Sequence, residues 1–194
     1  MGFFYNDISS NSRGLKARLT SWQVSGSMRN FTTTVPGKYG VTDFGADFDY
    51  REINISCCIF PKNSFSALVA VIDNISTWLG PTQGLKQLIF DDVPDRYFMA
   101  RLNDKVDCER LICSAGSFNL KFFCPDPFAY AIFDELFNIT EEGTHTITRT
   151  KGNVESSPIY RIEGVLTSGV SNYIMIKTND FEIQNNLYNA VCHQ

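Results

Sequence analysis

The stretch of sequence that decides the fold is residues 50–60, YREINISCCIF. Its alternate positions carry apolar side chains: Ile53, Ile55, Cys57 and Ile59. The first three positions between them carry polar side chains: Glu52, Asn54 and Ser56. A period of two is typical of a strand that buries one face and leaves the other in water. Glycines upstream of this strand, at positions 37, 40 and 45, predict turns.

Residues 64–79 predict the one principal helix of the chain. Apolar side chains recur there at the i, i+3, i+4, i+7 spacing of one helical stripe: Phe65, Leu68, Val69, Ile72, Ile75 and Leu79. Ser64 suits the N-cap position, and Gly80-Pro81 predicts the end of the helix. At 1.5 Å per residue the helix would be about 24 Å long, which is enough to lie across one sheet.

Strand patterns return after the helix. Residues 87–90 and 96–102 flank a turn-prone segment at 91–95, and together they predict a hairpin. Two more strands are expected near residues 107–114 and 117–124.

The ladder of strands is expected to end at Pro125-Asp126-Pro127. Beyond residue 131 the sequence becomes polar and turn-rich, with short strand patterns at 159–165, 173–177 and 181–183. These patterns predict a mainly β fold with one principal helix. We expect two domains: residues 1–132 and a short β domain at residues 133–194.

Composition narrows the classes of function. The chain carries 17 Lys and Arg against 21 Asp and Glu, a formal net charge of −4, so it lacks the overall basic charge typical of nucleic-acid binding. No run of 18 apolar residues occurs, which argues against a membrane helix. The N-terminus lacks the features of a secretory signal, so the six cysteines are expected to be reduced thiols in a protein that folds in a cytosol.

Reactive residue types do not form a catalytic or metal-binding motif. The spacing of Cys108, Cys113 and Cys124 does not fit a zinc site, and Cys57-Cys58 has no adjacent His. His145 lies in a polar, Thr-rich stretch. The acidic residues near turns match no calcium-loop spacing and favour a rim or a subunit contact: Asp91, Asp92, Asp95, Asp104 and Asp107. We therefore expect no catalytic residue, no metal and no cofactor.

Several segments, in order, resemble the distal tail proteins of long-tailed phages and prophages of Gram-positive bacteria. The strand at 50–60, after Val35-Pro36-Gly37, and the helix ending in Thr77-Trp78-Leu79 are similar to family elements. Residues 88–97, LIFDDVPDRY, resemble the family hairpin L-I-F-D-D-x-P-D-x-Y. Residues 122–130, FFCPDPFAY, resemble F-x-C-P-D-P-x-A-Y at the end of the family's N-terminal domain.

The similarity covers the region of residues 1–132 and is weaker beyond it. Residues 158–164, PIYRIEG, are similar to the P-x-I-x-I-x-G that opens the family's C-terminal domain. The resemblance implies a β-sandwich or split-barrel-like N-terminal domain with a projecting β-hairpin. It also implies that the short C-terminal unit is an abbreviated or truncated galectin-like domain.

The resemblance implies a structural role rather than catalysis. Distal tail proteins form a homo-hexameric ring, a baseplate hub that surrounds a channel continuing the tail tube. Their partners are the major tail tube protein, the tail-associated hub protein and, in some tails, a receptor-binding protein, and phage DNA passes through without specific binding. The implied location is the tail tip of the virion, after synthesis in the bacterial host cytoplasm, with no membrane partner.

We assign the projecting hairpin to residues 87–102. An isolated two-stranded hairpin is only marginally stable in water, so it needs further packing. The hypothesis is that four of its side chains contact a neighbouring subunit: Leu88, Phe90, Tyr97 and Met99. The alternative is that the hairpin packs on its own sheet.

Two other functions stay open. A carbohydrate-binding β module for host-surface attachment would need a platform of exposed aromatic side chains, for which the candidates are Phe128, Tyr130, Tyr160 and Tyr173. An enzyme built on a small β-barrel, such as a flavin-binding split barrel, would give a yellow purified protein.

Overall fold

The computed structural model describes residues 2–23, 25–80, 82, 84–104, 106, 108–112, 115–141, 143–154, 156–162, 173–177 and 182–186. The chain divides into two compact units, residues 1–152 and 153–194. The domain boundary expected after residue 132 stays a prediction.

Among the described residues, the regular elements of the first unit are β-strands, one α-helix, α1 (Phe65–Trp78), and a short 3-10 helix (Asn11–Arg13). The strands before the helix are β1 (Phe3–Tyr5), β2 (Ile8–Ser9), β3 (Leu15–Leu19), β4 (Met28–Thr33), β5 (Thr42–Phe48) and β6 (Arg51–Ile59). The strands after it are β7 (Lys86–Phe90), β8 (Val93–Leu102), β9 (Glu109–Ile112), β10 (Ala115–Cys124) and β11 (Tyr130–Ala131). The predicted mainly β fold is confirmed.

The main sheet is antiparallel and follows the order β2-β1-β7-β8-β10-β6-β3, with β9 paired to β10 and β11 paired to β8. At its centre, Ile53 of β6 lies opposite Phe122 of β10, and Ile55 lies opposite Leu120. All four side chains are buried. The alternation predicted at residues 50–60 is therefore confirmed, and β6 supplies one face of the core.

Helix α1 begins where the sequence predicts. The Ser64 hydroxyl accepts a hydrogen bond from the Ala67 backbone N–H at 3.2 Å, which is the expected N-cap. Leu68 and Ile75 are buried, and burial of each such side chain stabilises the fold by about 1.5–3 kcal/mol. Phe65 and Val69, which belong to the predicted apolar stripe, are exposed, so the covered face is narrower at the N-terminal end of the helix.

Trp78, the last residue of the helix, anchors α1 to β1. Its ring stacks on Phe3 with centroids 5.7 Å apart, and its Nε1 donates to the Tyr5 carbonyl at 3.0 Å. Phe3 and Tyr5, near the N-terminus, therefore belong to the core. The connection from β1 to β2 passes through Asn6 and Asp7, both at positive φ, as a tight hairpin turn requires.

The hairpin predicted at residues 87–102 exists as β7 and β8, but its turn is shorter than expected. Phe90 pairs with Val93, so Asp91 and Asp92 alone form the turn and Pro94 already belongs to β8. Because β7 also pairs with β1, and β8 with β10, the hairpin lies inside the main sheet. The prediction that this hairpin projects is wrong. The strands predicted near 107–114 and 117–124 correspond to β9 and β10, although positions 107, 113 and 114 lie outside the described residues.

In the second unit, β12 (Tyr173–Lys177) pairs antiparallel with β13 (Glu182–Asn186), and Met175 lies opposite Gln184. The strand predicted at 173–177 is confirmed, and the one at 181–183 is longer than expected. Residues 159–162 form no strand, and 163–165 of that same prediction lie outside the described residues. Among the described residues, no helix is long and apolar enough to cross a membrane.

Candidate assembly interface

An exposed hairpin stands apart from the main sheet. Strands β4 and β5 pair only with each other among the described strands, and we call residues 28–48 the arm. Every residue of β4 is exposed, as is all of β5 except its first residue. Four large apolar side chains of these strands are exposed: Met28, Phe31, Phe44 and Phe48. A two-stranded sheet with apolar residues in water is marginal alone, so the arm is suited to pack against another surface.

The arm has a defined shape. A bulge interrupts the pairing between Asn30 and Thr32, and Gly45 occupies it at a φ of 103°. The carboxylate of Asp43 accepts a hydrogen bond from the Gly45 N–H at 3.0 Å, which fixes this bend. Such bulges increase the local twist of a hairpin and re-aim its side chains. Tyr39, at the tip of the arm, is a further large side chain that is fully exposed.

The base of the arm is held by the segment after β10. Asp49 N–H donates to the Ser27 carbonyl at 2.6 Å, and the Phe48 ring meets the Phe128 ring edge-on at 5.5 Å. A Cβ on Gly26 would lie only 2.6 Å from the Cβ of Pro127, so this approach requires glycine. The arm is therefore attached to the segment at residues 125–130, which we call the clasp.

Residues 122–130, FFCPDPFAY, form the end of β10 and the clasp. Cys124 ends β10 inside the core, and the Asp126 carboxylate accepts hydrogen bonds from the Phe128 N–H and from the Tyr130 hydroxyl. That bond to Asp126 raises the pKa of Tyr130. Tyr130 stacks on Tyr97 with centroids 5.4 Å apart, so the clasp also touches β8.

Two of the four side chains predicted to contact a neighbouring subunit are buried within their own chain. Leu88 is fully buried and Phe90 is 6% exposed, and both belong to the core. For these two, packing on their own sheet is what the structure shows. Tyr97 and Met99 point to the opposite face of β8 and are half-buried, so their role in a subunit contact stays a prediction.

The cysteines differ in how far they are buried. Burial raises the pKa of the Cys57 and Cys124 thiols to about 12, whereas Cys58 is exposed and Cys108 is half-buried. Cys113 lies outside the described residues, as do Cys192 and Asp107. Within the described part of the chain, no three His, Cys, Asp or Glu side chains are grouped as metal ligands.

The other polar candidates lie at the surface. Asp91, Asp92 and Asp104 are exposed. Asp95 forms an exposed ion pair with Arg96 at 2.9 Å, and the resulting hydrogen bond lowers the pKa of Asp95. His145 is also exposed, with its Nε2 3.0 Å from the carbonyl of Glu141.

Two of the four aromatic side chains considered for sugar binding lie in the clasp, and the other two lie in the second unit. Phe128 is half-buried against the arm, and Tyr130 lies on Tyr97. Tyr160 is exposed in an irregular segment, and Tyr173 begins β12 in the second unit. Phe128 and Tyr130 are therefore part of the clasp rather than an open platform.

The arm was missed in the sequence because both of its faces are exposed and β4 shows no alternation of apolar and polar residues. The signal that could have found it is the alternation of apolar residues in β5, beyond the turn at Pro36-Gly37: Phe44, Ala46 and Phe48.

Comparison with known proteins agrees with this architecture. The crystal structure of the Dit protein (gp 19.1) of phage SPP1 superimposes with a TM-score of 0.56 at 18% identity. That protein is described as a paradigm of the hub adsorption apparatus in phages infecting Gram-positive bacteria. The match covers 67% of this chain and 51% of the SPP1 chain, so this chain corresponds to about half of that protein.

Sequence comparison gives the family. No curated protein sequence matches significantly. Residues 14–124, more than half of the chain, match the family described as phage tail protein RIFT-related domain. The match begins in the segment before β3 and ends with the last residue of β10, so it covers the centre of the main sheet, the arm and the helix. The resemblance to phage tail proteins is therefore confirmed, and the chain belongs to the phage tail protein family defined by the RIFT-related domain.

Proposed function

We propose that this structural tail protein forms a hexameric ring at the tip of a long-tailed phage or prophage tail. The ring would act as the hub that joins the tail tube to the tail-associated and receptor-binding apparatus. Family membership and the Dit-like fold support a structural role in the virion rather than an enzymatic one.

The observation that carries the proposal is the exposed arm. Its apolar side chains are held away from the core of their own chain, while the clasp fixes the base of the arm. A second copy of the chain is the partner always present during assembly. A contact in which the arm of one copy reaches a different surface of the next copy is heterologous, and such contacts close into a ring when the rotation between subunits permits.

The proposed channel would let DNA pass without binding it. A chain with a net charge of −4 has no overall attraction for phosphates, which suits a conduit through which DNA must move. The tail tube protein and the tail-associated hub protein would cover the two ends of the ring.

The experiment is a measurement of mass in solution by light scattering after size exclusion, with negative-stain images of the peak. For the wild-type chain we expect six times the monomer mass and ring-shaped particles. The variant Phe31→Ser with Phe44→Ser should stay folded and run as a monomer, because both side chains are exposed and lie outside the core.

The matched control is Phe133→Ser, which removes an aromatic ring that is 81% exposed but lies outside the arm. It should assemble as the wild type does. An arm variant that still forms complete rings would contradict the arm contact, and a wild-type chain that stays monomeric at all concentrations would contradict self-assembly.

A further inference from the structure

The side of β6 that faces the core begins with a cation. Side chains alternate along this strand, so Arg51 lies on the same side as the buried Ile53 and Ile55. The Arg51 guanidinium lies 5.4 Å from the ring centroid of Phe98, which belongs to the core. Among the described residues Arg51 forms no ion pair, so its nitrogen atoms depend on neutral acceptors.

A short segment after β3 covers this end of the core. It consists of residues 20–23, which we call the strap. The Trp22 ring meets the rings of Phe90 and Phe98 edge-on, with centroids 5.9 Å apart in both pairs. Trp22 is nevertheless 45% exposed, whereas both phenylalanines are buried. The strap is therefore a cover with one side on the core and the other in water.

The strap is attached firmly at its start and loosely at its end. The Thr20 N–H donates to the Asn54 carbonyl at 3.2 Å, and the Thr20 hydroxyl lies 2.9 Å from that of Ser56. At the other end, Nη1 of Arg51 donates to the Gln23 carbonyl at 3.4 Å, which is long for a hydrogen bond. The contact between Arg51 and Gln23 is therefore the point at which the strap is free to tighten.

This loose contact leaves two buried polar atoms unpaired. Among the described residues, Nε of Arg51 and Oε1 of Gln23 are buried and form no hydrogen bond. The first is a donor and the second an acceptor, and leaving either unpaired in the interior is unfavourable. Because the two residues already touch through the Gln23 carbonyl, rotation of the Gln23 side chain can bring the acceptor to the donor.

We propose that Arg51 and Gln23 form a latch with two settings. In the open setting, which the structure shows, Arg51 holds the Gln23 carbonyl alone. In the closed setting, Oε1 of Gln23 also accepts a hydrogen bond from Nε of Arg51, which draws the strap onto Phe98 and shields Trp22 from water. The gain of one hydrogen bond is similar in size to the entropy lost by ordering a glutamine side chain, so both settings are populated.

The latch belongs to the base of the arm. The chain continues from the strap through Gly26 and Ser27 into β4, and the Ser27 N–H donates to the carbonyl of Tyr50, the neighbour of Arg51. The clasp holds the arm from the β10 side, and the latch would hold it from the β3 side. Both settings exist within one chain, so the inference goes beyond the proposed ring and does not depend on it.

The experiment is quenching of Trp22 fluorescence by acrylamide in the full-length chain. Acrylamide is uncharged, so a new charge at residue 23 does not repel it. Trp78 is the other tryptophan and is 4% exposed, and its signal is obtained from Trp22→Phe and subtracted.

Two substitutions of Gln23 should move the latch in opposite directions. Gln23→Glu supplies a carboxylate that bonds more strongly to Arg51, so the quenching constant of Trp22 should fall at least about twofold. Gln23→Met has a similar length and no strong acceptor, so the constant should rise by about twofold. Adding Arg51→Met to Gln23→Glu removes the donor and should abolish the fall. The matched control is Gln87→Glu, on an exposed position of β7, which should leave the constant unchanged.

Each result supports or overturns the latch. Opposite shifts in the two Gln23 variants support it, and they decide the matter even if the combined variant does not fold. An unchanged constant in either Gln23 variant overturns the closed setting. A fall that persists with Arg51→Met, or that Gln87→Glu also produces, assigns the effect to charge alone and overturns the latch as well. The mass in solution tests the ring separately.

Discussion

The two adjacent cysteines of β6 differ in exposure to solvent, because successive side chains of a strand point to opposite faces. Cys57 points into the core and Cys58, the next residue, points out of it, so one thiol is buried and the other exposed. Burial raises the pKa of Cys57, and likewise of Cys124, to about 12 because the charged thiolate is poorly solvated there.

We therefore predict selective alkylation of the folded chain at about pH 8, where the reactive species is the thiolate. Cys58 should be modified, whereas Cys57 and Cys124 should react only after unfolding, as measured by peptide mass mapping. Stability should depend on pH as well. Because burial raises the pKa of Cys57 above 9.0, the free energy of unfolding is unaffected by this thiol below pH 9 and falls as the pH rises from 9 toward 12. Equal labelling of Cys57 and Cys58 in the folded chain would contradict this prediction.

The hairpin residues predicted to contact a neighbouring subunit show what an alternating sequence pattern can predict and what it cannot. Alternation in LIFDDVPDRY correctly predicts that Leu88 and Phe90 need to be covered. The pattern cannot tell whether the cover comes from the same chain or from a neighbour, because the free energy of burying an apolar side chain is the same in either case. The structure shows that the same chain supplies that cover: the Trp22 ring meets the Phe90 ring edge-on at 5.9 Å, and Tyr5 of β1 lies opposite Leu88.

At the scale of elements, Trp78 connects the helix to the sheet by stacking and by one buried hydrogen bond. We predict that Trp78→Phe lowers the free energy of unfolding by about 1–3 kcal/mol, because the Tyr5 carbonyl loses its donor. Trp78→Ala should lower it by about 3–5 kcal/mol, since a cavity is added. Urea unfolding measures both effects.

The matched control on the same helix is Phe65→Ala, whose side chain is 51% exposed. It should lower the free energy of unfolding by about 1 kcal/mol or less, because half of the side chain is already in water. Equal losses for the Phe65 and Trp78 variants would mean that the helix is not docked through its C-terminal end.

Elements with one buried face could be predicted, and elements without one could not. Strands β6 and β10 and helix α1 bury one side, so burial imposes a period of two or 3.6 on their sequences. Both faces of the arm are exposed, so no such selection acts on it within the chain. Strands β1 and β2 contain only three and two residues, which is too short for any period to be visible.

At the scale of the whole molecule, the buried core that the structure describes lies in the first unit. All of its described members lie between Phe3 and Cys124. We therefore predict that a chain ending at residue 152 folds cooperatively, with a melting temperature within about 4 °C of the full-length value. Calorimetry of the two chains tests this. A truncated chain without a cooperative transition would show that the second unit is needed for folding.

The same clasp that holds the arm also determines where tension along the chain is resisted. A pull on the chain beyond residue 132 first meets the pairing of β11 with β8, where Tyr130 lies opposite Tyr97 and the Ile132 N–H donates to the Asp95 carbonyl. Next along the chain are Phe128 and Pro127, which contact the base of the arm. Mechanical load from the distal part of the chain therefore reaches the pairing of β11 with β8 first and the base of the arm next, before it reaches β10.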